Sequence, residues 1–311
     1  MKDRIVPTSF HKCSRFVYCR PVGGLNDTLC EIEKCWAYAE KNARALVIDT
    51  RVSGLMGQFS TYFSLNAATI PVFPTVTQEL LDHLNSLTCY PEVLTGRLGK
   101  YTCTHIEEFE ARVEIPSQTL LTFDLDKTYK HGVVQRETLG GGLASERSVQ
   151  RITVLPEVRE QVVKVLNELP RPYLGIHVRN TDYVTEYKSF FDQLLPKVTG
   201  RTVLVCSDDA EVIECARKFF DLSKVISSST TLVEKGSCLH EDISYPNAAA
   251  CKQAAINSLI DVFALAESER LFYTDVTRGR TSGFSMLANY LYENKEVRLR
   301  FLGVDAPQDK K

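Results

Sequence analysis

The sequence predicts an α/β protein made of two units of open parallel sheet. Its second half alternates short apolar runs with amphipathic stretches, the pattern of strands joined by crossover helices. The start of the chain shows the same pattern once, as strand, glycine loop, helix and strand. At 311 residues the chain has the length for two domains of ~150 residues, each with its own core. Gly140-Gly141-Gly142 reads as a flexible connection, which places the hinge between 140 and 155 and the domains at 1–150 and 151–311.

Hydrophobic residues are 44% and charged residues 24% of the chain, an ordinary globular balance. Formal net charge is -2 and the pI about 6.3, so no overall positive field speaks for nucleic acid or an anionic membrane surface. No apolar run in the sequence approaches the ~20 residues that span a bilayer. The opening MKDRIVPTSFHKC has no apolar signal segment, and the expectation is a cytoplasmic protein without an integral membrane segment. Ten cysteines occur with no Cys-x-x-Cys spacing, and Cys30, Cys35, Cys206, Cys215 and Cys251 fall within predicted helices or strands. They read as reduced, buried small hydrophobes, not disulfides or zinc ligands.

In chain order, Arg15 to Cys19 is an apolar strand, followed by Pro21-Val22-Gly23-Gly24-Leu25-Asn26-Asp27. A helix is expected from about Thr28 to Asn42, with Leu29, Ile32, Trp36, Tyr38 and Ala39 on its apolar face. Ala45 to Asp49 is apolar enough for a central parallel strand. Two glycines at such a turn let the backbone approach a ligand, and Asn26 and Asp27 sit where the helix begins, beside exposed N–H groups. The alternative is a tight turn with an Asn or Asp cap.

Gln78 to Leu87 reads as a helix and Leu120 to Phe123 as a strand. That strand ends in Asp124-Leu125-Asp126, an Asp-x-Asp that can hold a divalent metal and a diphosphate or form a solvated loop. Pro156 to Leu169 is an amphipathic helix. The second half continues with strand Leu174 to Val178, helix Lys188 to Val198, strand Thr202 to Cys206, helix Ala210 to Phe219 and strand Lys224 to Ile226. A polar loop over 227–248 contains Gly236, His240, Glu241, Asp242 and Pro246. A long helix over 249–266 carries Asp261 among apolar neighbours, where a buried acid needs a partner. Strand Arg270 to Thr274, a loop from Arg278 to Ser285 and helix Met286 to Glu293 complete the alternation.

Leu174 to Val178 runs straight into Arg179-Asn180-Thr181-Asp182-Tyr183. Polar residues crowd the point where this strand leaves its sheet, and in open α/β sheets ligands collect at the carboxyl ends of strands. The bland reading of Arg179 and Asp182 is a structural ion pair.

Four motifs occur in order: Gly175 to Asp182 (GIHVRNTD), the strand end Val205-Cys206-Ser207-Asp208-Asp209, the helix with Leu259-Ile260-Asp261, and Thr281 to Ala288 (TSGFSMLA). Together they resemble the fucosyltransferase superfamily, which includes the α-1,6-fucosyltransferases, the bacterial nodulation fucosyltransferases and the protein O-fucosyltransferases. Gly23-Gly24-Leu25-Asn26-Asp27 resembles the glycine-rich first loop of that group, and its helix leads to a strand ending in Asp49-Thr50-Arg51. The resemblance implies a GT-B fold, two Rossmann-like domains facing across a cleft. The C-terminal domain (151–311) would bind the nucleotide-sugar donor, usually GDP-β-L-fucose, and the N-terminal domain (1–150) would offer the acceptor surface. No divalent metal and no cofactor would be required.

The chemistry of these residues fits that implication. Transfer from a nucleotide diphosphate sugar builds negative charge on the departing β-phosphate, and without metal a guanidinium must stabilise it, a role for Arg179. Ser282, Gly283, Phe284 and Ser285 can present hydroxyls and backbone N–H groups to the diphosphate at a helix N-terminus. Asp209 and Asp261 could hold the guanine edge or ribose hydroxyls. Gly24 and Asn26 would meet the donor phosphate or the acceptor from the other domain. His177 is either a donor contact or an imidazole tying two strand ends together. For the general base, Glu186 comes first and Asp27 second. The α-1,6 and nodulation enzymes commonly carry a second basic residue after the arginine and a Lys after the aspartate; here these are Asn180 and Tyr183.

The expected activity is an inverting, metal-independent transfer, most simply α-fucosyl transfer from GDP-β-L-fucose to a glycan hydroxyl. A transferase for another nucleotide sugar, such as rhamnose, galactose or xylose, is one alternative. A non-catalytic nucleotide-sugar or glycan-binding protein is the other.

Overall fold

The computed structural model of the protein describes residues 9–66, 68–106, 111–180, 185–228, 247–276 and 280–304. The chain divides into two compact units, Met1–Thr153 and Val154–Lys311.

In the first unit, β1 (Phe16–Cys19) leads into α1 (Leu25–Lys41) and β2 (Ala45–Ile48). Then come β3 (Val72–Phe73), α2 (Gln78–Asn85), β4 (Cys89–Tyr90) and β5 (Val133–Arg136). The sheet order is β3-β2-β1-β5-β4, with every neighbouring pair parallel. Every residue of β1 and β2 is buried, which is why both read as continuous apolar runs without alternation. α1 buries Leu29, Ile32, Cys35, Trp36 and Ala39. It begins three residues before the predicted start, because its first turn is Leu25-Asn26-Asp27, polar in two of three positions and silent in an apolar-period reading. Asp27 there complements the positive end of the helix.

The expected strand Leu120 to Phe123 is only Thr119–Leu120, the edge of a three-stranded antiparallel sheet with Cys103–Ile106 and Ala111–Glu114. Leu121 and Phe123 are buried beyond it. Asp124 and Asp126 form a turn: Asp124 Oδ1 accepts from the Asp126 N–H at 2.9 Å, and Asp124 Oδ2 is 3.2 Å from Lys127 Nζ. Among the described residues no group of three or more His, Cys, Asp or Glu could hold a metal ion.

Gly140-Gly141-Gly142 is not the loose connection expected from composition. The run is docked on the start of α1, where Gly141 N–H donates to Asp27 Oδ1 at 3.1 Å and Lys34 donates to the Gly140 carbonyl. A Cβ on Gly140 would lie 1.8 Å from the Asp27 carbonyl oxygen, so glycine is required by close approach, not for motion. α3 (Ser145–Arg151) follows directly.

In the second unit, α4 (Pro156–Glu168) precedes β6 (Leu174–Val178), α5 (Tyr187–Val198), β7 (Thr202–Ser207) and α6 (Ala210–Phe219). β8 (Lys224–Ile226), α7 (Ala248–Ala266), β9 (Arg270–Tyr273), α8 (Gly283–Glu293) and α9 (Lys295–Leu302) complete it. The parallel sheet runs β8-β7-β6-β9. From β6 the chain moves outward one way through β7 and β8, then returns to the other side of β6 as β9. The order therefore reverses at β6, and the crevice at the carboxyl end of this strand is a topological switch point. β6 is buried throughout, with Ile176, Val178, Phe191, Val203 and Val205 in one cluster.

The sequence reading found no membrane-length apolar run, but α7, at 19 residues, is long and apolar enough to cross a membrane by length and composition. In this fold it is a core helix. Ile256, Leu259, Val262, Phe263 and Leu265 are buried, and Tyr173 donates to its Ala264 carbonyl at 2.8 Å.

Candidate active site

The parallel register sets the site in the second unit. Val178 lies opposite Ser207, so the residues that follow, Arg179 and Asp208, leave their strands side by side. Arg179 Nε is 3.3 Å from Asp208 Oδ2, and both side chains are largely buried. Asp208 Oδ1 accepts from the Asn180 N–H at 2.9 Å. One carboxylate thus holds the side chain of Arg179 and the main chain of Asn180. Asp182, the partner the sequence suggests for Arg179, lies outside the described residues, as do Thr181, Tyr183, Arg278, Gly279 and the polar stretch with Gly236, His240, Glu241, Asp242 and Pro246.

Asp209 is committed to the frame. Its Oδ1 caps α6 by accepting from the Glu211 N–H at 2.8 Å, and its Oδ2 accepts from Asn180 Nδ2 at 2.8 Å. At 2% exposure each of its oxygens has a protein donor. Asn180 therefore serves as a loop clamp. Its Oδ1 accepts from the Thr185 N–H at 3.2 Å, and Thr185 Oγ1 donates to the Arg179 carbonyl at 3.1 Å.

His177 is one residue inside the strand end. Its Nδ1 is 2.7 Å from Ser285 Oγ, and its ring centroid lies 5.0 Å from that of Phe284. Burial first, and Arg179 second, lower its pKa to about 3, so the ring is neutral across the physiological range. The imidazole joins β6 to the first turn of α8. Ser282 is the N-cap of α8 and Gly283, Phe284 and Ser285 are its opening residues, whereas the sequence reading left all four in a loop. The Ser285 side chain is fully buried and turned inward, where its hydroxyl meets His177. Its N–H, with those of Gly283 and Phe284, belongs to the helix N-terminus, whose donors have no intrahelical acceptor.

Asp261 is half-buried on α7 and has a hydroxyl partner. Ser228 Oγ donates to Asp261 Oδ1 at 2.6 Å, and the same hydroxyl is 3.4 Å from Cys206 Sγ, tying α7 to the end of β7. Glu186 is the exposed N-cap residue of α5, with no side-chain capping bond. The structure thus gathers His177, Arg179, Asp209, Asp261 and the α8 N-terminus at one sheet edge.

The first unit has its own polar carboxyl edge. Gly24 is the N-cap of α1, and a Cβ there would meet no atom within 4 Å. Asn26 is 2% exposed, donates to the Gly142 carbonyl at 3.3 Å and accepts from Ser145 Oγ at 2.6 Å. It is a clasp between α1 and α3. Beyond the strand ends, Arg20 joins two fully buried carboxylates, with Nε 3.5 Å from Asp49 and Nη1 3.1 Å from Glu137. Asp49 also pairs with Arg51 Nε at 2.7 Å, and Glu137 with Arg112 at 3.2 Å. Burial acts to raise the Asp49 pKa, but Arg51, Tyr18 and Arg20 hold it below the usual carboxylate value. The alternating row Arg51, Asp49, Arg20, Glu137, Arg112 satisfies buried charge by pairing.

Sequence reasoning missed Asp208 and Thr185. Ser207-Asp208-Asp209 was recognised as a strand end, but which acid faces Arg179 depends on the β6–β7 register.

No family model and no curated protein matches this chain; solved structures do. Two parallel-sheet units with a polar switch point define the class, a GT-B glycosyltransferase fold. Within that class the similar structures are fucosyltransferases. The fucosyltransferase NodZ from Bradyrhizobium is 20% identical, the match covers 89% of this chain and 93% of that one, and the TM-score is 0.58. NodZ α-1,6-fucosyltransferase soaked with GDP-fucose is 19% identical over 89% and 92% of the two chains, with a TM-score of 0.57. POFUT1 in complex with GDP-fucose is 10% identical over 89% and 93%, with a TM-score of 0.50. At these identities the likeness is one of fold.

Proposed function

We propose that the protein is an inverting, metal-independent glycosyltransferase that moves L-fucose from GDP-β-L-fucose to a glycan hydroxyl. The observation that carries this reading is Arg179, held by Asp208 at the switch point of the second unit beside the N-terminus of α8. The fold likeness to NodZ soaked with GDP-fucose supports the choice of donor.

In this reaction the acceptor oxygen attacks the anomeric carbon from the face opposite the diphosphate. The carbon–oxygen bond to the β-phosphate breaks, GDP departs with the bonding electrons, and the β-linked donor becomes an α-glycoside. The second unit takes the donor: Arg179 neutralises charge growing on the β-phosphate, and the N–H groups of Gly283, Phe284 and Ser285 receive phosphate oxygens. Asp261 takes the guanine edge or a ribose hydroxyl. The first unit offers the acceptor surface. The acceptor proton passes to Glu186, whose exposed carboxylate has no capping duty, with Asp27 as the second choice.

The test is release of GDP, UDP or TDP from a panel of nucleotide sugars, with and without EDTA. GDP release from GDP-fucose, unchanged by EDTA and reduced in Arg179→Ala by about two orders of magnitude, is the expected result. UDP or TDP release would replace the sugar and retain the fold. Loss of activity in EDTA would overturn metal independence. A second reading, a nucleotide-sugar-binding protein without turnover, draws on Asn180, an uncharged residue engaged by Asp209 where a second cation is common. It predicts tight GDP binding and no release with any acceptor.

A further inference from the structure

We propose that Asp208 is a positioning residue that sets the orientation of the Arg179 guanidinium toward the leaving diphosphate; this rests on the donor site proposed above. Three observations carry it. The β6–β7 register places Asp208 beside Arg179 through the backbone of the sheet, so the pairing is built into the fold and not into a surface rotamer. Asp208 is 8% exposed, and its two oxygens take different duties, one on Arg179 Nε at 3.3 Å and one on the Asn180 N–H at 2.9 Å. The main chain at the same point is closed by Thr185 on the Arg179 carbonyl and by Asp209 on the Asn180 side chain. Side chain and peptide are therefore held together.

The chemistry gives this arrangement two opposed effects. A guanidinium is a planar fork of five N–H donors, and a carboxylate at Nε fixes the plane of the fork. Charge stabilisation works only if the donors already point where charge develops. The same carboxylate subtracts from the positive field that Arg179 presents to a bound diphosphate. Removing its charge while keeping its shape should therefore loosen the geometry needed for transfer and strengthen ground-state attraction. A residue that merely supports the loop would produce no such split.

The experiment measures GDP affinity by calorimetry and GDP release from GDP-fucose for the full chain, Asp208→Asn, Arg179→Ala and the double variant. Asp208→Asn retains an acceptor for the Asn180 N–H. We expect its GDP affinity to equal or exceed that of the unmodified protein while its release rate falls by about ten- to a hundredfold. If Asp208 acts through Arg179, the double variant is no slower than Arg179→Ala alone. Asp208→Glu, which keeps the charge but displaces it, should lose rate with no gain in affinity. An Asp208→Asn protein at the unmodified rate overturns the proposal alone. So does a loss that multiplies undiminished onto Arg179→Ala, the mark of a purely structural role. An unmodified protein that neither binds GDP nor releases it overturns the functional reading, and this proposal with it.

Discussion

His177 Nδ1 lies 2.7 Å from Ser285 Oγ, so a single buried contact joins the carboxyl end of β6 to the first turn of α8. The imidazole is neutral in the fold, with a pKa near 3 against an ordinary value of 6.5. On unfolding below about pH 6.5 it gains a proton, so the unfolded state binds more protons and stability rises with pH. The His177 contribution is complete above the ordinary value and is lost as pH falls from there toward 3. Between pH 8 and pH 5 that loss is about 2 kcal/mol. The difference in unfolding free energy between the protein and His177→Asn, from urea titrations at both pH values, should shrink by this amount in acid. An unchanged difference would mean that the ring titrates normally in the fold.

Ser285→Ala separates a frame role from a ligand role. Removing the hydroxyl leaves a buried imidazole nitrogen without its partner, which costs about 1–3 kcal/mol of stability. The Ser285 N–H at the start of α8 stays in place, so GDP affinity should be nearly unchanged. A tenfold loss of affinity with unchanged denaturant midpoint would restore the hydroxyl as a phosphate contact.

Asn26→Ala should likewise act on stability. Its amide joins α1 to the Gly142 carbonyl and the Ser145 hydroxyl, and leaving those buried groups unmatched costs about 1–3 kcal/mol. Calorimetric GDP binding to the variant, measured well below its melting temperature, should match that of the unmodified protein. Selective loss of binding would place Asn26 against the donor instead.

Two glycines of the first unit should respond to very different degrees to alanine. At Gly140 the new methyl would lie 1.8 Å from the Asp27 carbonyl oxygen, and the start of α1 would have to move, at ~3 kcal/mol or more. At Gly24 the backbone is already extended and nothing lies within 4 Å, so the change should cost no more than about 1 kcal/mol. Thermal melts of the two variants test this directly. Equal shifts would mean that the glycine run is not docked on α1.

Much of the second unit was legible because its signals are local. Leu174 to Val178, Ala210 to Phe219 and Lys224 to Ile226 are bounded by breakers or polar residues, and their periodicity marks strands and helices at the observed limits. The antiparallel sheet of the first unit was illegible for the opposite reason. Cys103–Ile106, Ala111–Glu114 and Thr119–Leu120 are two to four residues long and mix polar with apolar positions, too short for a period to emerge. The glycine run at 140 misled because composition records that glycine is permitted many conformations, not that a neighbouring carbonyl leaves room for nothing else.

The sequence by itself determined the α/β class, the strand that ends in Arg179 and the family that its motifs resemble, since each depends on residues close together along the chain. Only the tertiary structure decided that Asp208 and not Asp209 faces Arg179, that Ser285 turns inward to His177, and that Asn26 holds two helices together. Those facts depend on the register between parallel strands and on which face of a helix turn is covered, relations between residues far apart in the chain that no local pattern encodes.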